Sequence, residues 1–148
     1  MILIFLHLLL CNNLIAKEVT VSSPDGNYQM RVYDRDGFVF YTVHYKHQPV
    51  ILESALGLSS NWINRSNESQ IVSGNRSLSD WYDGLQIDSI AETSVDVVWE
   101  PPYGERSTYR DNYNGCAITI LKTNNPRRRM QIIVRVSNEG VAFRYHLD

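Results

Sequence analysis

The segment at residues 99–113 carries the densest set of side chains that could bind a ligand or do chemistry. It combines aromatic rings, carboxylates and guanidinium groups around a Pro-Pro pair and a glycine. Aromatic faces stack on the apolar faces of sugar rings, and charged planar groups form bidentate hydrogen bonds with hydroxyls. Composition alone slightly favours another interpretation, a structured loop whose arginines and carboxylates pair with each other. The candidates for a carbohydrate-facing or protein-facing surface are Trp99, Tyr103, Glu105, Arg106, Arg110 and Tyr113.

Hydrolytic and metal-binding motifs are absent from the sequence. It contains no G-x-S-x-G, no H-E-x-x-H, no P-loop and no C-x-x-C. His44 and His47 are three residues apart, and in a strand that spacing puts them on opposite faces. Residues 34–37 resemble the start of a calcium loop but lack its later glutamate, so they predict a turn. We therefore predict no catalytic residue, cofactor or metal ligand in this chain.

Residues 1–16 predict a signal peptide. Residues 2–10 are almost wholly apolar, and this run is shorter than the roughly 20 residues that a membrane-spanning helix needs. Cleavage is expected after Ala16, although no Lys or Arg precedes the apolar run and Leu14 stands where a small residue is preferred. A buried first strand is one alternative, and a lipoprotein signal ending before Cys11 is a weaker one, because Leu10 is bulky where a small residue is usual. The prediction is an exported, periplasmic or extracellular protein with no membrane span and one domain at residues 17–148.

Cysteine usage points to a domain without internal disulfides. The chain has two cysteines, and Cys11 would be removed with the signal peptide. Cys116 alternates with Ile118 and Ile120, which places it on the buried face of a strand. We expect a structural thiol, not a nucleophile.

Alternating apolar and polar residues predict an all-β fold. Residues 28–33 and 38–45 alternate around Asp36-Gly37, a pair typical of a β-hairpin turn. Residues 130–136 and 141–145 form a second hairpin around residues 137–140. A polar segment at residues 59–80 shows no period and is expected to be a long loop. Short strands separated by turns predict an antiparallel β-sandwich.

Charge excludes one class of partner. The net charge of −2 gives no polyelectrolyte reason to expect nucleic acid. The one basic cluster, residues 127–129, is interpreted as the solvated start of a strand.

Four pieces of sequence in the same order resemble the amino-terminal domain of glycoside hydrolase family 97. The first piece is a signature at residues 99–114, in which residues 99–105 match the family's W-x-P-x-W/Y-G-E segment and residues 110–114 its R-x-x-Y-N segment. Residues 22–26 are similar to the family's opening, residues 41–58 to its second strand region, and residues 130–145 to its late hairpin. The resemblance covers nearly all of residues 18–147.

The resemblance implies an exported bacterial α-glycosidase acting on α-glucosides or α-galactosides. Such enzymes join an amino-terminal super-sandwich, similar to that of galactose mutarotases, to a (β/α)8 barrel that carries the catalytic carboxylates and most ligands of a calcium ion. This chain would then be an incomplete sandwich that packs on a missing barrel and meets α-linked oligosaccharide through the full enzyme. Alone it is predicted to be inactive. A free-standing carbohydrate-binding module and a structural interaction domain remain as alternatives.

Overall fold

The computed structural model describes residues 16–58, 81–103, 105 and 107–147. The predicted signal peptide apart from Ala16, the polar segment at residues 59–80 and the candidate Arg106 lie outside these ranges. Within them, no helix is both long and apolar enough to cross a bilayer.

Eight strands in the described part of the chain form two antiparallel four-stranded sheets, which confirms the predicted all-β sandwich. Strands adjacent in sequence are neighbours within each sheet. The first sheet contains β1 (Glu18–Ser22), β2 (Tyr28–Arg35), β3 (Phe38–Tyr45) and β4 (Gln48–Leu56). The second contains β5 (Leu85–Trp99), β6 (Tyr109–Lys122), β7 (Asn125–Ser137) and β8 (Gly140–Leu147).

One hydrophobic core lies between the two sheets. Alternate residues of β1, β2, β3, β6 and β7 point into it, as period-2 patterning requires. Met30 and Val32 of β2 and Ile118 and Ile120 of β6 are completely buried. The predicted burial of Cys116 is confirmed, and this burial raises the pKa of its thiol to about 11.

Tight turns set the registers of the first sheet. Asp36 and Gly37 both have positive φ, 53° and 79°, which is the backbone of the hairpin turn predicted there. The β3–β4 hairpin turns through Lys46 and His47, also at positive φ, 47° and 66°. Neither residue is a usual turn former, so no local signal predicts this second turn.

A buried carboxylate ties the two sheets together. Asp34, 7% exposed, accepts a hydrogen bond on Oδ1 from the Lys17 amide at 2.7 Å and one on Oδ2 from the Ile87 amide at 2.9 Å. Ile87 stands next to a β-bulge, a register shift between Ile87 and Ser89. Residues 34–37 thus supply the predicted turn and also a fixed link to β5.

Candidate functional site

Strands β5 and β6 extend beyond the second sheet as a two-stranded arm, residues 95–99 and 109–113. The last pair between β6 and β7 is Tyr113 with Ser137, whereas β5 and β6 continue to pair out to Trp99 and Tyr109. Isolated two-stranded ribbons are marginally stable in water. The arm therefore depends on its own cross-strand contacts, and it contains half of the candidate residues, Trp99, Arg110 and Tyr113.

The arm has two chemically different faces, because side chains alternate along a strand and paired residues share a face. Its inner face continues the side on which Cys116 and Ile118 enter the core. The inner pairs are Asp96–Asn112 and Val98–Arg110, and the outer pairs are Val95–Tyr113, Val97–Asp111 and Trp99–Tyr109.

An ion pair occupies the inner face. Arg110 donates to Asp96 from Nε to Oδ1 and from Nη2 to Oδ2, both at 2.7 Å. The hydrogen bonds raise the pKa of Arg110 and lower the pKa of Asp96. Arg110 is thus committed to a carboxylate of its own arm, as the interpretation based on internal pairing predicts.

Aromatic rings dominate the outer face. Trp99 and Tyr109 stack with their ring centroids 5.0 Å apart and their planes inclined by 18°. Trp99 nevertheless remains 45% exposed. At the other end of this face, the Arg135 guanidinium of β7 lies 4.6 Å from the centroid of Tyr113.

The predicted candidate residues that the structure describes lie on both faces of the arm and at its tip. Trp99 and Tyr113 share the outer face, two rungs apart, whereas Arg110 lies on the inner face. Tyr103 is 87% exposed and Glu105 is exposed at the tip between the strands. Sequence reasoning did not single out Tyr109 and Asp111, although their odd-numbered alternation with Tyr113 was a usable signal.

A polar cleft lies where the arm joins the sandwich. It has a volume of about 440 Å³ and opens between β1 and the root of the arm. Asn114 spans it by donating from Nδ2 to the Ser22 carbonyl at 2.9 Å. Hydroxyl side chains and the Glu92 carboxylate supply much of its lining, which consists of Thr20, Val21, Ser22, Glu92, Thr93, Ser94, Asn114 and Gly115.

A second aromatic cluster covers the outer face of the first sheet and is satisfied internally. Tyr33 is only 9% exposed there, because Arg31 lies 4.7 Å from its ring centroid and Phe40 stacks at 5.9 Å. Its hydroxyl donates to Glu53, which also binds Arg35 at 2.6 Å. The hydrogen bonds from Arg35 and Tyr33 lower the pKa of Glu53. This closed network indicates a stabilising role for the cluster.

Neither metal ligation nor thiol chemistry is suggested by the described residues. In those ranges, no three His, Cys, Asp or Glu side chains come together to hold a metal ion. His44 lies in β3 and His47 in the following turn. The Arg127–Arg129 region begins β7 as predicted, with Arg129 exposed, but Arg128 covers the Trp81 ring at 5.0 Å.

Comparison with known proteins agrees with the resemblance. The family model described as "Glycosyl-hydrolase 97 N-terminal" matches residues 21–148. A glycoside hydrolase family 97 enzyme from Pseudoalteromonas sp. strain K8, solved with panose and with acarbose, is 26% identical with a TM-score of 0.69. A β-arabinopyranosidase structure, 22% identical with a TM-score of 0.68, shows the same fold. The chain is covered to 87% in both comparisons but spans only 17% and 18% of those proteins.

Proposed function

This chain belongs to the glycosyl-hydrolase 97 N-terminal family, and we propose that it serves as the non-catalytic N-terminal sandwich of an exported α-glycosidase. Its partner is the (β/α)8 barrel of that enzyme, and the substrate is an α-linked oligosaccharide. The observation that carries the proposal is the family match over residues 21–148, together with a chain that spans 17% of a related enzyme. The apolar leader supports export, and the mature protein should begin at Lys17 when the secreted product is sequenced.

The arm's chemistry supports a non-catalytic role. Glycoside hydrolysis uses two carboxyl groups across one bond, with the pKa of the acid raised. Asp96 has its pKa lowered by Arg110, the direction opposite to that of a general acid. Asp96 and Asp111 also lie on opposite faces of the arm. The proposal therefore assigns bond cleavage to the barrel.

The proposal also covers the calcium ion expected for the full-length enzyme. Calcium takes six to eight oxygen ligands, several of them carboxylates. The described residues offer no cluster of three such side chains, so they do not fit a calcium site of their own. We assign the ion expected for the full-length enzyme to the barrel.

Activity of the purified chain tests the proposal. Aryl α-glucosides and aryl α-galactosides should show no turnover above buffer, because the cleaving carboxylates are assigned to the barrel. Robust turnover that follows the pure protein through chromatography would overturn the non-catalytic role.

The coding DNA beyond codon 148 gives an independent test. It should encode a barrel, and its absence in every reading frame would remove the proposed partner.

A free-standing carbohydrate-binding module is the second candidate. The exposure of Trp99 and Tyr103, 45% and 87%, favours it, because exposed rings are what sugar-binding surfaces use. This candidate requires a folded chain that binds α-glucans without the barrel. Titration of the whole chain with soluble α-glucan tests it, and a folded protein that binds none excludes it.

A further inference from the structure

We propose that the outer face of the arm is a saccharide subsite in which Trp99 stacks on a sugar ring, Tyr109 supports the indole and Asp111 accepts hydrogen bonds from hydroxyls. The inference rests on the proposed glycosidase context and deepens it, since it places an oligosaccharide contact on this chain. It also excludes Arg110 from the contact, because Arg110 lies on the inner face.

The stacked pair makes Trp99 a pre-positioned ring. One face of the indole lies against Tyr109, with centroids 5.0 Å apart and planes inclined by 18°. The side chain still leaves 45% of its surface exposed. A ring that is fixed in one orientation before the ligand arrives loses little conformational entropy on binding, which favours stacking on a sugar.

Asp111 supplies the polar half of the subsite. It follows Tyr109 by two residues on the same face, a separation of about 6.8 Å along a strand. Its side chain is exposed, and within the described ranges no hydrogen bond or ion pair engages its carboxylate. Asp96 on the other face is held by Arg110 at 2.7 Å. Asp111 is thus the acceptor that remains available, and a carboxylate can accept from two neighbouring hydroxyls.

The size of the outer face fits a short oligosaccharide better than a protein. Three rungs span about 14 Å along the strands and about 10 Å across them, on the order of 140 Å². A stable protein interface needs about 800 Å² from each partner. Arg135 over Tyr113 closes the far end of the face. Two or three sugar rings would cover what lies between that end and Trp99.

Calorimetric titration of the whole chain with panose tests the subsite. We expect millimolar or tighter binding, at least tenfold weaker binding by Trp99→Ala, and weaker binding by Asp111→Asn. Trp99→Phe should bind with an intermediate affinity, since it keeps a ring of smaller area. Val98→Ala is the matched control, because Val98 is 62% exposed on the inner face of the same arm. It should bind panose like the unchanged chain, and circular dichroism should show every variant folded.

Three outcomes would overturn the subsite. The folded chain could fail to bind panose, Trp99→Ala could bind it unchanged, or Val98→Ala could weaken binding as much as Trp99→Ala does. A fourth concerns a protein occupant. If Trp99→Ala abolishes association with a separately produced barrel and leaves panose binding unchanged, the outer face is a protein interface. None of these results depends on the chain's lack of hydrolytic activity, so the subsite and the non-catalytic role can fail separately.

Discussion

Replacing Asp34 by Asn should destabilise the sandwich far more than the same change at Asp96. Both substitutions turn an aspartate into its near-isosteric amide. The Asp34 carboxylate is buried and accepts amide protons from Lys17 at 2.7 Å and from Ile87 at 2.9 Å. Asn has one oxygen, so one of these two amides would face an NH2 group that cannot accept its proton. Hydrogen bonds to charged groups contribute about 1.5–3 kcal/mol, and a buried donor left unsatisfied costs about 1–3 kcal/mol.

The expected loss at Asp34 is therefore about 2–4 kcal/mol, a large part of the roughly 5–15 kcal/mol available to such a domain. With a urea m-value of about 2 kcal/mol per M, the unfolding midpoint should fall by about 1–2 M. Circular dichroism of the sheet signal measures this midpoint. Asp96→Asn should move it little, because the Asp96–Arg110 pair is more than half exposed on both sides. Equal midpoints for the two variants would refute the view that Asp34 links the sheets.

Three further changes separate buried from exposed positions. Gly115→Ala should cost about 1–3 kcal/mol in urea unfolding, because a Cβ there would meet the Val134 carbonyl oxygen at 2.4 Å. Raising pH from 9 to 11 should destabilise the unchanged chain, because folding raises the pKa of Cys116 from 9.0 to about 11. The thiol of the unfolded chain therefore ionises first, and the free energy of unfolding should fall by at most about 2–3 kcal/mol. Cys116→Ala should reduce this slope, and the remainder comes from Tyr33 and Tyr145, whose pKa values burial also raises; a slope that Cys116→Ala leaves unchanged contradicts the role of Cys116. Trp81→Ala should cost about 3–5 kcal/mol because Trp81 is 3% exposed, whereas Trp99→Ala should cost about 1 kcal/mol or less by thermal unfolding.

The two predicted hairpins are confirmed, and they were predictable because the sequence signals for a hairpin are local. An Asp36-Gly37 pair between two alternating runs has few other low-energy conformations, so it specifies a two-residue turn. The buried faces of β6 and β7 followed from alternation alone. The turn at Lys46 and His47 escaped prediction because both residues adopt positive φ without any residue that prefers it. There the strands on either side impose the turn, and that constraint lies outside the local sequence.

The apolar periodicity of β5 does not by itself predict which of its residues are buried. Val97 and Trp99 alternate like core residues, yet they are 52% and 45% exposed. Alternation reports which residues share a face, but it does not report whether another layer covers that face. The bulge after Ile87 also reverses the parity of the inward residues along this strand. Burial at the arm therefore depends on where β7 stops pairing, at Ser137, which is a property of the assembled sheet.

The same reasoning explains why the candidate site was only half predictable. The residue types identified the arm as a candidate site, because few segments combine Trp, Tyr, Arg and carboxylates so closely. The role of each residue depends on which face of its strand it lies on, and therefore on whether its position is odd or even. Arg110 is even-numbered and meets Asp96, so stability accounts for it, while Tyr109 and Asp111 face the other way. A 45% exposed Trp99 gains less from burial than it would in the core, and Asp111 gains nothing from the partners described. Folding therefore accounts for the inner face of the arm and, through the Trp99–Tyr109 stack, for part of the outer face, but it gives no reason for an available carboxylate beside an exposed ring, where ligand binding gives one.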